Sequence, residues 1–228
     1  MVGHMLGLLY DVHGNLPALE AVLEDAGDVD RWVLGGDYTL FGAWPAETLD
    51  RLRALDAVWI RGNGERWTAA PADAPEPARA AISWCAGMLG RDVVAEMAAL
   101  PETHRDGSTL FCHGSPGSDV ESFMPEAAAD EQELLEGVEA DLVVFGHTHL
   151  PFAREAETGI ALANPGSVGM PFDGDPRAAY ALLHDDGRIE HRRVAYDHVA
   201  SAAAVRGALG PAGEVPAARI ERASIQVG

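Results

Sequence analysis

One junction recurs five times along this 228-residue chain: a short apolar run, then a polar side chain set among glycines. The run at 141–145, Asp-Leu-Val-Val-Phe, passes into Gly146-His147-Thr148-His149. Runs at 6–10, 32–34, 57–60 and 109–112 pass into Asp11-Val12-His13-Gly14-Asn15, Gly35-Gly36-Asp37, Arg61-Gly62-Asn63-Gly64 and His113-Gly114-Ser115. Short β-branched and aromatic runs read as buried strands, and glycine lets the backbone turn sharply where they end. Polar groups that all follow the last apolar residue of a strand gather at one sheet edge. In open α/β sheets that C-terminal edge is where ligands bind.

Between these runs the spacing predicts helices over 16–26, 45–55, 78–89, 92–100 and 130–138, with Asn15 capping the first. Residues 65–77, rich in Pro and Ala, read as a surface loop that could hold a short helical turn. After residue 150 the pattern changes. Thr158-Gly159 and Asp185-Asp186-Gly187 each separate two strand-like runs, which is a hairpin signal. A strand–helix alternation followed by a meander predicts two layered sheets with helices outside, rather than one doubly wound sheet. The expected unit is a single domain over 1–228. Residues 1–5 are expected to be a leader or cloning remnant, and 207–228, with its Gly, Pro and Ala, an extended tail.

Composition narrows the function. The net charge is −20, and every one of the 16 basic residues is arginine. An acidic chain of this kind lacks the basic stripe that stable nucleic-acid binding needs. It also repels phosphate substrates unless local positive charge overrides the field, and bound cations would supply that charge. No apolar run approaches the ~20 residues that span a bilayer, and the N-terminal stretch lacks the pattern of a signal peptide. Two cysteines, Cys85 and Cys112, are too few for a disulfide framework. A cytoplasmic protein is expected.

The strand-end residues are Asp11, His13, Asp37, Asn63, His113, His147 and His149. All are O or N donors and none is a thiolate, a set that suits Mn, Fe, Zn, Co or Ni. Seven donors exceed what one ion needs. Two ions sharing a carboxylate would use them, and ions ~3.5–4 Å apart are a known hydrolytic device.

The series D-x-H…G-D…G-N…H-G…G-H-x-H resembles the calcineurin-like metallophosphoesterases, over essentially residues 6–180. Asn164-Pro165-Gly166-Ser167 followed by Asp175-Pro176-Arg177 is similar to the small YfcE-like phosphodiesterase branch. The resemblance implies a four-layer α/β/β/α sandwich. It also implies two divalent transition-metal ions, manganese favoured: one on Asp11, His13 and His149, the other on Asn63, His113 and His147, with Asp37 as bridge. Asp37, Asn63 and His113 would then be the catalytic set. The implied activity is hydrolysis of a small or nucleotide-type phosphodiester by a metal-bridging hydroxide. The alternatives are a phosphomonoesterase or protein phosphatase, and a non-catalytic scaffold of the same fold. The implied partner is a small-molecule phosphoester.

The chain departs from the family at two places. Many relatives carry a histidine after G-N that protonates the leaving group or contacts phosphate, and here Gly64 stands there. Glu65 or a metal-bound water could replace it, and the sequence leaves both open. The stretch 36–42 also lacks the arginine of the protein phosphatases and diadenosine tetraphosphatases. Candidate substrate contacts are Tyr38, Phe41 and Ser115. Tyr38 and Phe41, with Trp44, either form an aromatic wall or pack the Asp37 loop onto the next helix. Trp67 is a candidate lid.

Overall fold

The computed structural model describes residues 5–227, so most of the proposed 1–5 leader lies outside the described residues. Two five-stranded mixed sheets lie face to face. The first has β1 (Met5–Leu9) at its centre, flanked by β2 (Arg31–Leu34) and then β3 (Ala57–Trp59), all parallel. On the other side of β1 the chain returns late, as the antiparallel hairpin β9 (Ala178–His184) and β10 (Ile189–Val194). The second sheet runs β4 (Thr103–Asp106), β5 (Thr109–Cys112), β6 (Leu142–Val144), β8 (Ala161–Asn164) and β7 (Phe152–Glu155), in that spatial order. Here β5, β6 and β8 are parallel and the outer strands antiparallel.

Strand periodicity divides the core into layers. Leu6, Leu8 and Tyr10 meet Phe111, Val144 and Ala163 between the sheets. Leu9, Trp32 and Leu34 point the other way, onto Leu19 and Val22 of α1 (Leu16–Ala26) and Leu49 and Leu52 of α2 (Pro45–Arg53). The far face of the second sheet, with Cys112, Val143 and Phe145, is covered by Phe123 and Leu135. This is the four-layer arrangement the sequence predicts. Both hairpins form at their expected turns.

Several local expectations are corrected. Residues 65–77 are a loop only in their later part, and the helical content is larger than one turn. Helix α3 (Asn63–Ala69) starts at Asn63 itself, and a 3₁₀ turn follows at Pro71–Asp73. Helices α4 (Arg79–Leu89) and α5 (Arg91–Ala98) match expectation, but α6 shrinks to Glu131–Leu134. Strand β4 has the sequence Thr-His-Arg-Asp, mostly exposed, so no apolar run announces it. The tail is helical, not extended. Helix α7 (His198–Leu209), a 3₁₀ turn at Gly210–Gly213 and α8 (Glu214–Arg222) form a hairpin that buries Ala202, Val205, Ala217 and Ile220. The Gly and Pro content is concentrated in the turn between helices whose alanines favour helix. Asn15 does not cap α1 with its side chain; its Nδ2 donates to Gly169 O (2.9 Å) and the Tyr196 hydroxyl.

Candidate metal centre

Each parallel strand delivers its polar residue to the same edge. Asp11 follows β1, Asp37 follows β2, Asn63 opens the helix after β3, His113 follows β5, and His147 and His149 follow β6. The loops after β1 and β2 are stitched together by backbone bonds from Asp11 N to Gly36 O (3.2 Å) and His13 N to Asp37 O (2.9 Å). Five of the seven candidate ligands have left-handed backbone: Asp11 (φ 54°), His13 (51°), Asp37 (55°), His147 (65°) and His149 (59°). Such conformations cost on the order of 1–3 kcal/mol each for non-glycine residues and cluster at functional sites.

The donor atoms converge in two sets. Asp11 Oδ1 stands 3.3 Å from His149 Nε2 and 3.9 Å from His13 Nε2, and the two imidazole nitrogens are 3.2 Å apart. In the second set, Asn63 Oδ1 is 3.0 Å from His113 Nε2 and 2.8 Å from His147 Nδ1. Asp37 lies between the sets, with Oδ2 3.9 Å from His13 Nε2 and Oδ1 3.5 Å from His113 Nε2. All these residues are buried except His147, which is partly open.

The hydrogen bonds on the far side of the rings say which nitrogens carry lone pairs. His13, His113 and His149 present Nδ1 to the carbonyls of Leu40 (3.1 Å), Gly35 (2.7 Å) and Met170 (2.5 Å). A proton held there leaves each Nε2 as an acceptor aimed inward, the usual arrangement of metal-ligating histidines. Asn63 Oδ1 then faces acceptors. Without a cation its amide is better turned over, donating to both rings and to Asp119 O. Asp11 Oδ1 is buried with no hydrogen-bond donor at all. Lone pairs that converge on one another with no donor between them fit divalent cations.

The electrostatics of His13 and His147 agree with this, whereas at His113 burial is outweighed by the Asp37 and Asp11 carboxylates, which raise the ring so that an incoming cation displaces its proton. Burial, then His149, lowers His13 to about 3, and burial with His113 lowers His147 to about 4, so both rings are neutral ligands near pH 7. Burial raises the Asp37 carboxyl to about 7; His113 opposes the shift, while Glu65 and Asp11 add to it. Burial also works against ionising Asp11, but His149, His113 and His13 outweigh it and hold its carboxyl below the usual range.

Three residues that hold this geometry carried no such role in the sequence reading. Glu65 accepts from the backbone N–H of Asp37 (2.9 Å), Tyr38 (2.9 Å) and Gly62 (2.8 Å), so it clamps the Asp37 loop to the start of α3. It is not turned toward the donor cluster as an acid. Asn164 donates to Gly146 O (3.0 Å) and Thr148 Oγ1 (3.0 Å), which sets the His147–His149 loop. Ser167 Oγ donates to Asp11 O (2.7 Å). The only sequence signal for the last two was the Asn164-Pro165-Gly166-Ser167 motif.

The candidate substrate contacts separate. Tyr38 is fully buried with its hydroxyl on Leu34 O and Ile60 O, so it packs the loop and has no surface to offer. Phe41 (φ 73°) is half-buried, its ring 5.8 Å from His13. Ser115 Oγ is buried without a partner and lines a cavity of about 250 Å³ with Arg61, Arg66, His113 and Asp119. Trp67 lies on α3, packed with Leu40, Ile82 and Cys85, not on a mobile flap. Gly64 sits where its N–H donates to Asp37 Oδ1 (2.6 Å), and a Cβ there would lie 2.6 Å from that same oxygen.

Residues 5–188 match the family model of the calcineurin-like phosphoesterase superfamily domain. The chain is 31% identical to phosphodiesterase YfcE of Escherichia coli over 196 residues, covering 80% of this chain and 89% of that one. It is 28% identical to an uncharacterized protein of Methanocaldococcus jannaschii, over 86% of this chain and 90% of the relative. Among solved structures it is similar to a metallophosphoesterase from Sphaerobacter thermophilus, with TM-score 0.82, 29% identity, and coverage of 97% and 99%.

Proposed function

The chain belongs to the calcineurin-like phosphoesterase superfamily, and on that premise we propose that it is a binuclear-metal phosphodiesterase acting on a small or nucleotide-type diester. The observation that carries this reading is the split of the Asp37 carboxylate, one oxygen toward the His13 set and one toward the His113 set. A shared carboxylate offsets part of the repulsion between two cations. When bound, two divalent ions, manganese favoured, would lower the pKa of a water and neutralise charge on the phosphoryl oxygens.

The protein's own part is to aim lone pairs inward, keep the imidazoles neutral and seat the ester. The charge distribution favours a diester. A monoester dianion calls for additional cations, yet Arg66 is paired with Asp119 and Arg61 with Glu102 beside the centre. Gly64 cannot donate a proton and Glu65 is occupied by three backbone N–H groups. A general acid typically contributes ~10²–10⁴-fold. Esters of acidic alcohols, which leave as anions, are therefore the preferred substrates. The unpartnered Ser115 hydroxyl is a donor for the phosphate or an ester oxygen. No stable nucleic-acid partner is expected.

The test is metal analysis together with turnover. Manganese-loaded protein should hold two ions per chain and hydrolyse bis(p-nitrophenyl) phosphate about tenfold or more faster than p-nitrophenyl phosphate. Asp37→Asn should lose at least one ion and nearly all turnover. An Asp37→Asn protein with both ions and full turnover would end the binuclear reading.

A further inference from the structure

The side of the metal centre made by His13 and His149 continues outward through two aromatic rings. Phe172 stacks on His149, with centroids 4.2 Å apart and planes 12° apart. Phe41 lies against His13. Beyond Phe172 comes Arg219 of α8, its guanidinium carbon 5.7 Å from the ring centroid. Phe41 and Arg219 also line one cavity of about 160 Å³, walled further by Ala81, Pro211, Val215 and Pro216. This cavity therefore lies one side-chain layer from the candidate ligands.

Arg219 is out of keeping with its surroundings. In a chain of net charge −20, the neighbouring Arg206 is held by Glu214 and Glu221, and Arg193 by Asp173. Arg219 is half-buried, and no carboxylate among the described residues pairs with it. Its Nε is buried without a hydrogen-bond acceptor. Burying a guanidinium N–H unpaired is costly, and the stack on Phe172 does not satisfy it. Among the described residues, Arg219 is the one charged side chain lining the cavity, so an anionic group seated there would pair with its guanidinium, and the remaining walls named above are apolar.

We propose that this cavity seats one ester arm of the substrate, and that the arm is an aromatic group bearing an anionic substituent that pairs with Arg219. The proposal rests on the phosphodiesterase reading for the phosphate itself, which the ions would hold. It makes the C-terminal helical hairpin part of the substrate site.

Calorimetric titration of the manganese-loaded protein with three phosphonates tests it. Phenylphosphonate should bind more tightly than methylphosphonate, and 4-carboxyphenylphosphonate more tightly again, by on the order of tenfold to a hundredfold for a charge-assisted hydrogen bond. Arg219→Gln should erase the carboxylate preference while metal content and phenylphosphonate affinity persist. Arg219→Lys should keep part of it. A wild-type protein indifferent to the carboxylate overturns the proposal. So does an Arg219→Gln protein that loses metal or weakens all three ligands equally, since Arg219 would then only brace Phe172 against His149. Hydrolysis of bis(p-nitrophenyl) phosphate, run in parallel, separates the two readings. Turnover without carboxylate discrimination removes this proposal alone. Discrimination through Arg219 without turnover supports the cavity and removes the phosphodiesterase reading.

Discussion

Glu65 offers the sharpest test of how the centre is held. Its carboxylate is buried and receives three backbone N–H groups, from Asp37, Tyr38 and Gly62. Glu65→Ala leaves all three without an acceptor. An unsatisfied buried donor costs about 1–3 kcal/mol. The three share one pocket and are not additive, so the expected loss is on the order of 3–6 kcal/mol. For a chain of this size that is a fall of about 10 °C or more in Tm. Glu65→Gln is the informative partner. An amide oxygen in the position of Oε2 keeps the bonds from Asp37 and Gly62 and loses only the one from Tyr38, so about 1–3 kcal/mol should go. Urea unfolding of the metal-free variants at pH 8 reads the stability, and metal analysis reads the centre. If Glu65 were instead the proton donor, Glu65→Gln would unfold like wild type, hold both ions, and lose rate selectively on alkyl esters. That result would refute the clamp.

Two further outcomes follow from the same geometry. Gly64→Ala places a methyl 2.6 Å from Asp37 Oδ1. It should weaken metal binding at least about tenfold and also lower folding stability by about 1–3 kcal/mol, because the buried methyl is crowded by Leu40 Cδ1 at 3.0 Å as well as by the Asp37 carboxylate. Wild-type metal affinity in that variant would show that Asp37 has room to move. Metal uptake should also release a proton that depends on pH. Asp37 titrates near 7 in the metal-free fold, raised above 3.8 chiefly by burial, so it is protonated at pH 6 and ionised at pH 8. An incoming ion must displace that proton only at the lower pH. Because His113 is raised too, with Asp37 and Asp11 outweighing its burial, calorimetry in two buffers should find more protons released at pH 6 than at pH 8, and apparent affinity falling as pH drops below 7. Equal release at both values would contradict the assignment.

Much of this protein is legible without coordinates because its information is local. An apolar run of three to five residues ending at a glycine and a ligand is a short-range pattern. Parallel strands then carry each ligand to the same edge, so the order Asp11, Asp37, Asn63, His113, His147 follows from strand direction alone. The hairpins at Thr158-Gly159 and Asp185-Asp186-Gly187 are local in the same sense. The tertiary structure decided what depends on distant segments meeting. For Tyr38 the sequence left open a substrate wall or packing of the Asp37 loop, and the approach of the Leu34 and Ile60 carbonyls decides for packing. Glu65 looked like an acid, and only its position behind the Asp37 loop makes it a clamp. The Gly and Pro around residue 210 looked like a tail until two alanine-rich helices were seen to bury one another. Arg219 stood out in no motif, because a guanidinium becomes notable only when burial shields part of it and no carboxylate among the described residues pairs with it. A sequence states which groups a chain has. Whether a group is solvated, satisfied or left waiting for a ligand depends on what folding packs around it.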